Sequence, residues 1–121
     1  MATFKAYTQA FETLDPHRVE PFFHQPAVLI TSAKVSLMSN SEEIKRVFWI
    51  LFADLTLKDF KCSKIDAIRA KQVSENQAIV SGVATRYDRS NQVLDRFGLN
   101  YTLRKADRNW KIVVAVLHDY W

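Results

Sequence analysis

Residues Tyr101 to Trp121 read YTLRKADRNWKIVVAVLHDYW, and the pattern of this stretch decides the fold. It is two long strands joined by the polar turn Ala106-Asp107-Arg108-Asn109. Because side chains alternate along a strand, Trp110, Ile112, Val114, Val116, His118 and Tyr120 share one face, and Lys111, Val113, Ala115, Leu117 and Asp119 share the other. Lys111 marks the second set as outward. A strand apolar on both faces needs cover on both. The chain's own helices can roof the inner face, and a second subunit is the cheapest cover for Val113, Ala115 and Leu117, so a homodimer through the sheet is expected. On the preceding strand Phe97, Leu99, Tyr101 and Leu103 alternate with polar residues, which turns Tyr101 inward.

Working back toward the N-terminus, the pattern keeps period 2 as far as Leu57. Strands are expected at Lys58 to Gln72, Gln77 to Tyr87, Gln92 to Lys105 and Trp110 to His118, an antiparallel meander. The only glycines, Gly82 and Gly98, lie inside these strands, where glycine marks bends that let a long sheet curl. Before Leu57 the period is helical. Asn40-Ser41-Glu42-Glu43 is a capping box ahead of Ile44, Val47, Phe48, Leu51, Phe52 and Leu55, the strongest helical stripe in the chain. Ala27 to Thr31 and Val35 to Met38 read as a hairpin. Phe4, Tyr7, Phe11 and Leu14 form a first amphipathic helix, with Thr3 as its cap, and Asp15-Pro16 starts a short second one.

Composition bounds the function. One domain spans residues 1–121; 48% hydrophobic and 12% aromatic residues supply a full core and exclude disorder. No apolar run is long enough to span a membrane and no leader pattern opens the chain, so a cytoplasmic protein with no membrane partner is expected. Cys62 is alone and cannot form an internal disulfide. The net charge of +4 is spread over turns and outward positions without an aromatic-basic motif, so no nucleic-acid partner is expected. His17, His24 and His118 show no paired ligand spacing, and neither a metal nor another cofactor is expected.

The order helix, short helix, hairpin, helix and long meander resembles the nuclear transport factor 2-like (NTF2-like) superfamily, which includes SnoaL-like and ketosteroid-isomerase-like proteins. Two segments carry the likeness: LDPHRVEPFFHQPAVLIT, Leu14 to Thr31, and YTLRKADRNWKIVVAVLHD, Tyr101 to Asp119, with its Trp-x-Ile and late His. The chain most resembles members of unknown function. The resemblance implies an α+β fold: a cone-shaped, strongly curved antiparallel sheet of about six strands around a pocket, about three helices on its concave face, and a homodimer through the sheet.

Within such a cone His118 and Tyr101 are the leading catalytic pair, a neutral imidazole base beside a phenol donor. The alternative is a core Tyr and a His that only ends its strand. Tyr7, Phe11, Phe23, Trp49, Phe52, Tyr87, Phe97 and Tyr120 are candidate pocket residues. Arg86 and Tyr87 occupy opposite faces of one strand, so only one of them reaches the pocket; Arg86 inward favours an anionic ligand, Tyr87 inward an apolar one. Asp119 points away from His118, Asp15 is explained by capping, His17 by exposure, and His24 by a loop or pocket rim. The expected function is binding of a small organic molecule in a mainly apolar pocket, with isomerase-, dehydratase- or cyclase-type acid–base chemistry as its enzymatic form. A non-enzymatic dimeric adaptor of the same fold is the alternative.

Overall fold

The computed structural model describes residues 2–120. Helix α1 (Ala2–Phe11) buries Phe4, Tyr7 and Phe11, spaced to fall on one face, and starts a residue before the expected Thr3 cap. Leu14, in the left-handed region at φ 55°, lies past the end of the helix but still packs half-buried against the core. Asp15 then caps α2 (Pro16–Val19), its Oδ1 accepting the His17 N–H at 2.9 Å, with Pro16 in the first turn as expected. A 3₁₀ turn (Glu20–Phe22) leads into β1 (Phe23–Ile30), which pairs with β2 (Val35–Met38). Strand β1 begins four residues before the expected Ala27 and runs through the cis bond Gln25–Pro26. Helix α3 (Ser41–Leu57) is closed by its capping box: Asn40 Oδ1 accepts the Glu43 N–H at 3.0 Å, and Glu43 Oε1 accepts the Ser39 N–H at 2.9 Å.

The remaining strands are β3 (Phe60–Ser74), β4 (Gln77–Asp88), β5 (Val93–Ala106) and β6 (Asn109–Asp119). They form one six-stranded sheet in the order β2-β1-β6-β5-β4-β3, curved, with the helices on its concave side. This is the expected α+β architecture with one exception: β6 runs parallel to β1, while every other pair is antiparallel. Directions alternate along the β3 to β6 meander, so the closing strand arrives beside β1 pointing the same way.

Bulges bend the long strands. At the first, Ala67 and Ile68 lie between the pairs Asp66↔Val83 and Arg69↔Ser81, opposite Gly82. Ala67 has φ 53°, and a β-carbon on Gly82 would lie 3.2 Å from the Asp66 carbonyl oxygen, so the crowded inside of this bend takes glycine. A second bulge changes the functional reading. Thr102 pairs with Val114 but Leu103 pairs with Ile112, leaving Val113 as the extra residue. One inserted residue exchanges the faces of everything after it. Ile112 therefore faces the core, but so do Ala115 and Leu117, while Val114, Val116 and His118 face outward. The expected phase of β6 holds only up to Ile112.

The core sits between α1, α3 and the concave face. Ile44, Phe48, Phe52 and Leu55 are buried along α3, and Val80, Ala84, Leu99, Tyr101, Leu103 and Ala115 meet them or α1 from the sheet. Phe48 is 1% exposed and packs on Phe23, with ring centroids 5.1 Å apart. A fully buried side chain of this kind stabilises the fold by about 1.5–3 kcal/mol.

Candidate functional site

The inward residues of β4 and β5 are aligned by their pairing: Val80 opposite Tyr101, Gly82 opposite Leu99, Ala84 opposite Phe97. Small residues on β4 leave a gap under α1 that larger ones would fill. The gap is a chamber of about 30 Å³ walled by Phe4, Tyr7 and Phe11 of α1, Ala84 and Arg86 of β4, and Phe97, Leu99 and Tyr101 of β5, with Thr8, Ser63 and Ile65 at its opening. That volume has room for about two water-sized groups. Outside it, between α1 and β3, lies a cleft of about 590 Å³ lined by Ala2, Phe4, Lys5, Thr8, Gln9, Glu12, Ser63, Ile65 and Ile68. Phe4, Thr8, Ser63 and Ile65 border both, so the chamber is the inner end of the cleft. Helix and strand are tied at the cleft's far side, where Glu12 Oε2 accepts the Ser63 N–H at 2.9 Å.

Arg86 is the inward residue of the Arg86–Tyr87 pair, and its side chain is only 9% exposed. Its guanidinium lies 4.5 Å from the Phe97 ring centroid and 5.4 Å from that of Phe11. Among the described residues, Nε has no hydrogen-bond partner and no carboxylate lies within ion-pair distance. Two cation–π contacts contribute roughly 0.5–2 kcal/mol each, whereas removing a cation from water costs several kcal/mol. Among the described residues the positive charge therefore has no close partner: Asp95, opposite Arg86 on β5, is exposed and favours the charged form without reaching ion-pair distance. Burial depresses the Arg86 pKa, partly offset by Tyr101, yet a guanidinium remains charged at any physiological pH.

Tyr7 and Tyr101 stand beside this charge with ring centroids 5.8 Å apart. Burial pushes both phenols above their ordinary range, Tyr7 further, and proximity to Tyr101 adds to the effect on Tyr7. Both remain protonated at neutral pH and can donate hydrogen bonds. Among the described residues the chamber wall contains no Asp, Glu or His, hence no side chain there able to take up a proton near pH 7.

The structure does not bring His118 and Tyr101 together. Tyr101 pairs with Ala115 on the concave face, while His118 pairs with Gly98 on the convex face, because the Val113 bulge has inverted the phase between them. The His118 ring lies over Gly98, at a spot where any β-carbon would come within 2.0 Å of it, and its Nδ1 is 3.1 Å from the Asp119 carbonyl oxygen. His118 is exposed.

Of the expected pocket residues, Tyr7, Phe11 and Phe97 line the chamber. Phe23 and Phe52 do not: they are core residues one layer further in, Phe23 against Tyr7 and Phe48, Phe52 against Phe11. Trp49 is 68% exposed beside His17, Lys45 and Arg46, on the side of α3 away from the sheet. Tyr87 takes the face opposite Arg86, and Tyr120, past the end of β6, is exposed with the Arg96 guanidinium 4.5 Å from its ring centroid. His24 is fully engaged: its Nδ1 is 2.9 Å from the Pro26 carbonyl oxygen and its Nε2 accepts from Arg104 at 3.1 Å. Sequence reasoning missed Phe4, Thr8, Ser63, Ile65, Ala84 and Leu99. Leu99 shared the phase that identified Phe97 and Tyr101, whereas β3 is apolar on neither face and offered no signal for Ser63.

A family model described as NTF2-like protein (DUF6841) matches residues 1–120. The chain belongs to this NTF2-like family. None of the curated proteins is significantly similar in sequence. Among solved structures, the chain is similar to a candidate calcium/calmodulin dependent protein kinase II association domain from Xanthomonas campestris, with TM-score 0.76 and 20% identity over 98% of this chain and 84% of that one. It is also similar to a ketosteroid isomerase-like protein from Erwinia carotovora atroseptica SCRI1043, with TM-score 0.69 and 18% identity over 99% and 92%. An NTF-2 like protein of unknown function from Shewanella oneidensis MR-1 gives TM-score 0.77 and 17% identity over 98% and 94%. At these identities the likeness is one of fold, and the NTF2-like cone houses both association domains and isomerase-like proteins.

Proposed function

We propose that this NTF2-like domain binds a small organic molecule in the cleft between α1 and β3, with the inner chamber receiving one end of it. The observation that carries this reading is Arg86, a buried guanidinium whose Nε has no hydrogen-bond partner among the described residues, in a chamber walled mainly by aromatic and aliphatic side chains. Evolutionarily neutral packing would fill such a position with a Leu or Met at no electrostatic cost. Binding is favoured over acid–base catalysis because no carboxylate or imidazole faces the chamber and both phenols hold their protons. A cytoplasmic location remains part of the proposal; Cys62, as the single cysteine, has no internal disulfide partner in any compartment.

The test is a fragment screen read by nuclear magnetic resonance. Intermolecular contacts from a bound fragment to Phe4, Tyr7, Ile65 or Leu99 are expected. A library that leaves these four signals unmoved would transfer the argument to the second reading.

That second reading is a non-enzymatic dimeric adaptor, and the convex face favours it. Val28, Ile30, Val114 and Val116 share that face with the exposed Val35 and Leu37. An apolar face without charges at its centre is complementary to itself, so a second copy of the chain is the proposed partner. Ligand binding and dimerisation use opposite sides of the sheet and are compatible.

A further inference from the structure

The polar side chains of the chamber can all donate hydrogen bonds, and none carries a negative charge. Arg86 presents a planar fork of N–H groups, Tyr7 and Tyr101 present protonated hydroxyls, and no acidic side chain lines the same space. Their common complement is an anion. The size of the chamber narrows the choice, since about 30 Å³ admits about two water-sized groups, the bulk of two oxygens. Its charge narrows it further. One guanidinium neutralises one negative charge, and the next cation along the cleft, Lys5, is exposed in the outer part. A phosphate dianion brings a second charge for which the chamber has no second cation. A carboxylate fits both limits, and its two oxygens match the guanidinium fork in bidentate geometry. Beyond the chamber mouth Phe4, Ile65 and Ile68 offer apolar surface for the remainder of the molecule.

We infer that the ligand is a small monocarboxylic acid with an apolar body, its carboxylate held by Arg86 with Tyr7 and Tyr101, and its body lying in the cleft between α1 and β3. The inference rests on the ligand-binding reading and specifies its chemistry. It also accounts for the lone buried charge, which becomes paired when the site is filled.

Isothermal titration calorimetry on the full chain tests it with two acids, 3-phenylpropionate and hexanoate, and their neutral counterparts, 3-phenylpropanamide and hexanamide, at matched ionic strength. The acids are expected to bind at least about tenfold more tightly than the amides, the factor lost when a charge-assisted pair is replaced by a neutral one. Arg86→Met is expected to erase the difference and Arg86→Lys to retain part of it; the second variant preserves the test if the first does not fold. Tyr101→Phe is expected to weaken the acids a few-fold and by more than it weakens the amides, because a carboxylate accepts the phenol hydrogen bond more strongly than an amide carbonyl does. Equal binding of acids and amides overturns the inference while leaving the cleft as a ligand site. Acids that bind Arg86→Met as tightly as the parent chain overturn it too, and failure of all four probes to bind at millimolar concentration sinks the inference together with the ligand-binding reading.

Discussion

At the residue scale the decisive side chain is Arg86, and its energetics separate a functional role from a structural one. An arginine kept for folding would be hydrogen-bonded, and its loss would unfold the protein. Among the described residues, Arg86 instead has a partnerless Nε, no ion pair, and two aromatic faces against its guanidinium. Arg86→Met is accordingly expected to keep stability within about 1 kcal/mol of the parent or to raise it, because an apolar side chain avoids the desolvation of a buried charge. Urea melts check this, and a loss above about 2 kcal/mol would show that the arginine supports the fold. The phenols give a pH prediction. Tyr7 and Tyr101 have pKa values raised by burial, so above pH about 10 the unfolded chain releases protons that the folded chain retains. Their contribution is fully present below that pH and is lost as pH rises toward the folded values. Stability should therefore fall on the alkaline side, and the slope should flatten in Tyr7→Phe; melts between pH 8 and roughly 11 measure it.

At the scale of elements, α3 is the roof on which the core depends. Phe48, buried at 1% exposure against Phe23, Phe11 and Phe52, leaves a cavity when truncated, and Phe48→Ala is expected to cost about 3–5 kcal/mol. Denaturant titration with an unchanged slope is the check, and a loss below about 1 kcal/mol would place the aromatic cluster elsewhere in the hierarchy of the core. The cap of the same helix is worth less: Asn40→Ala removes one hydrogen bond to the Glu43 N–H and should cost about 1 kcal/mol. Helix α1 plays a different part. It is anchored by three aromatic side chains on one face and forms one wall of both chamber and cleft, so it is the element through which a bound molecule would be felt.

At the scale of the whole molecule, a sheet with helices on only one side exposes its other side. Val35 and Leu37 are 67% and 64% exposed, and they continue the outward row formed by Val28, Ile30, Val114 and Val116. A dimer through this face is expected to bury ~800 Å² per subunit, the size of an ordinary stable interface. Light scattering at micromolar concentration should give twice the mass of the chain, and Val116→Glu should halve it without changing the circular dichroism spectrum. A parent chain that runs as a monomer would remove the dimer from the account while leaving the ligand cleft intact.

Sequence by itself determined the elements and the fold class. Periodicity located α1 by its aromatic triad, α3 by its stripe and capping box, and the four meander strands by their polar turns, since these signals are local and repeat within a few residues. It also placed Tyr7, Phe11, Phe97 and Tyr101 correctly toward the interior, because their elements are apolar on one face only. It could not decide β4, where Ala78, Val80 and Ala84 alternate with Ile79 and Val83 and either face could be inner; pairing with β5 turned Arg86 in and Tyr87 out. Nor could it detect the extra residue at Val113, because a run of valines and isoleucines reads the same in either phase. Only the register with β5, fixed by side chains distant in sequence, turns His118 to the face opposite Tyr101. Local pattern sets which segments become strands; the faces those strands turn to the core are set by the neighbours they meet.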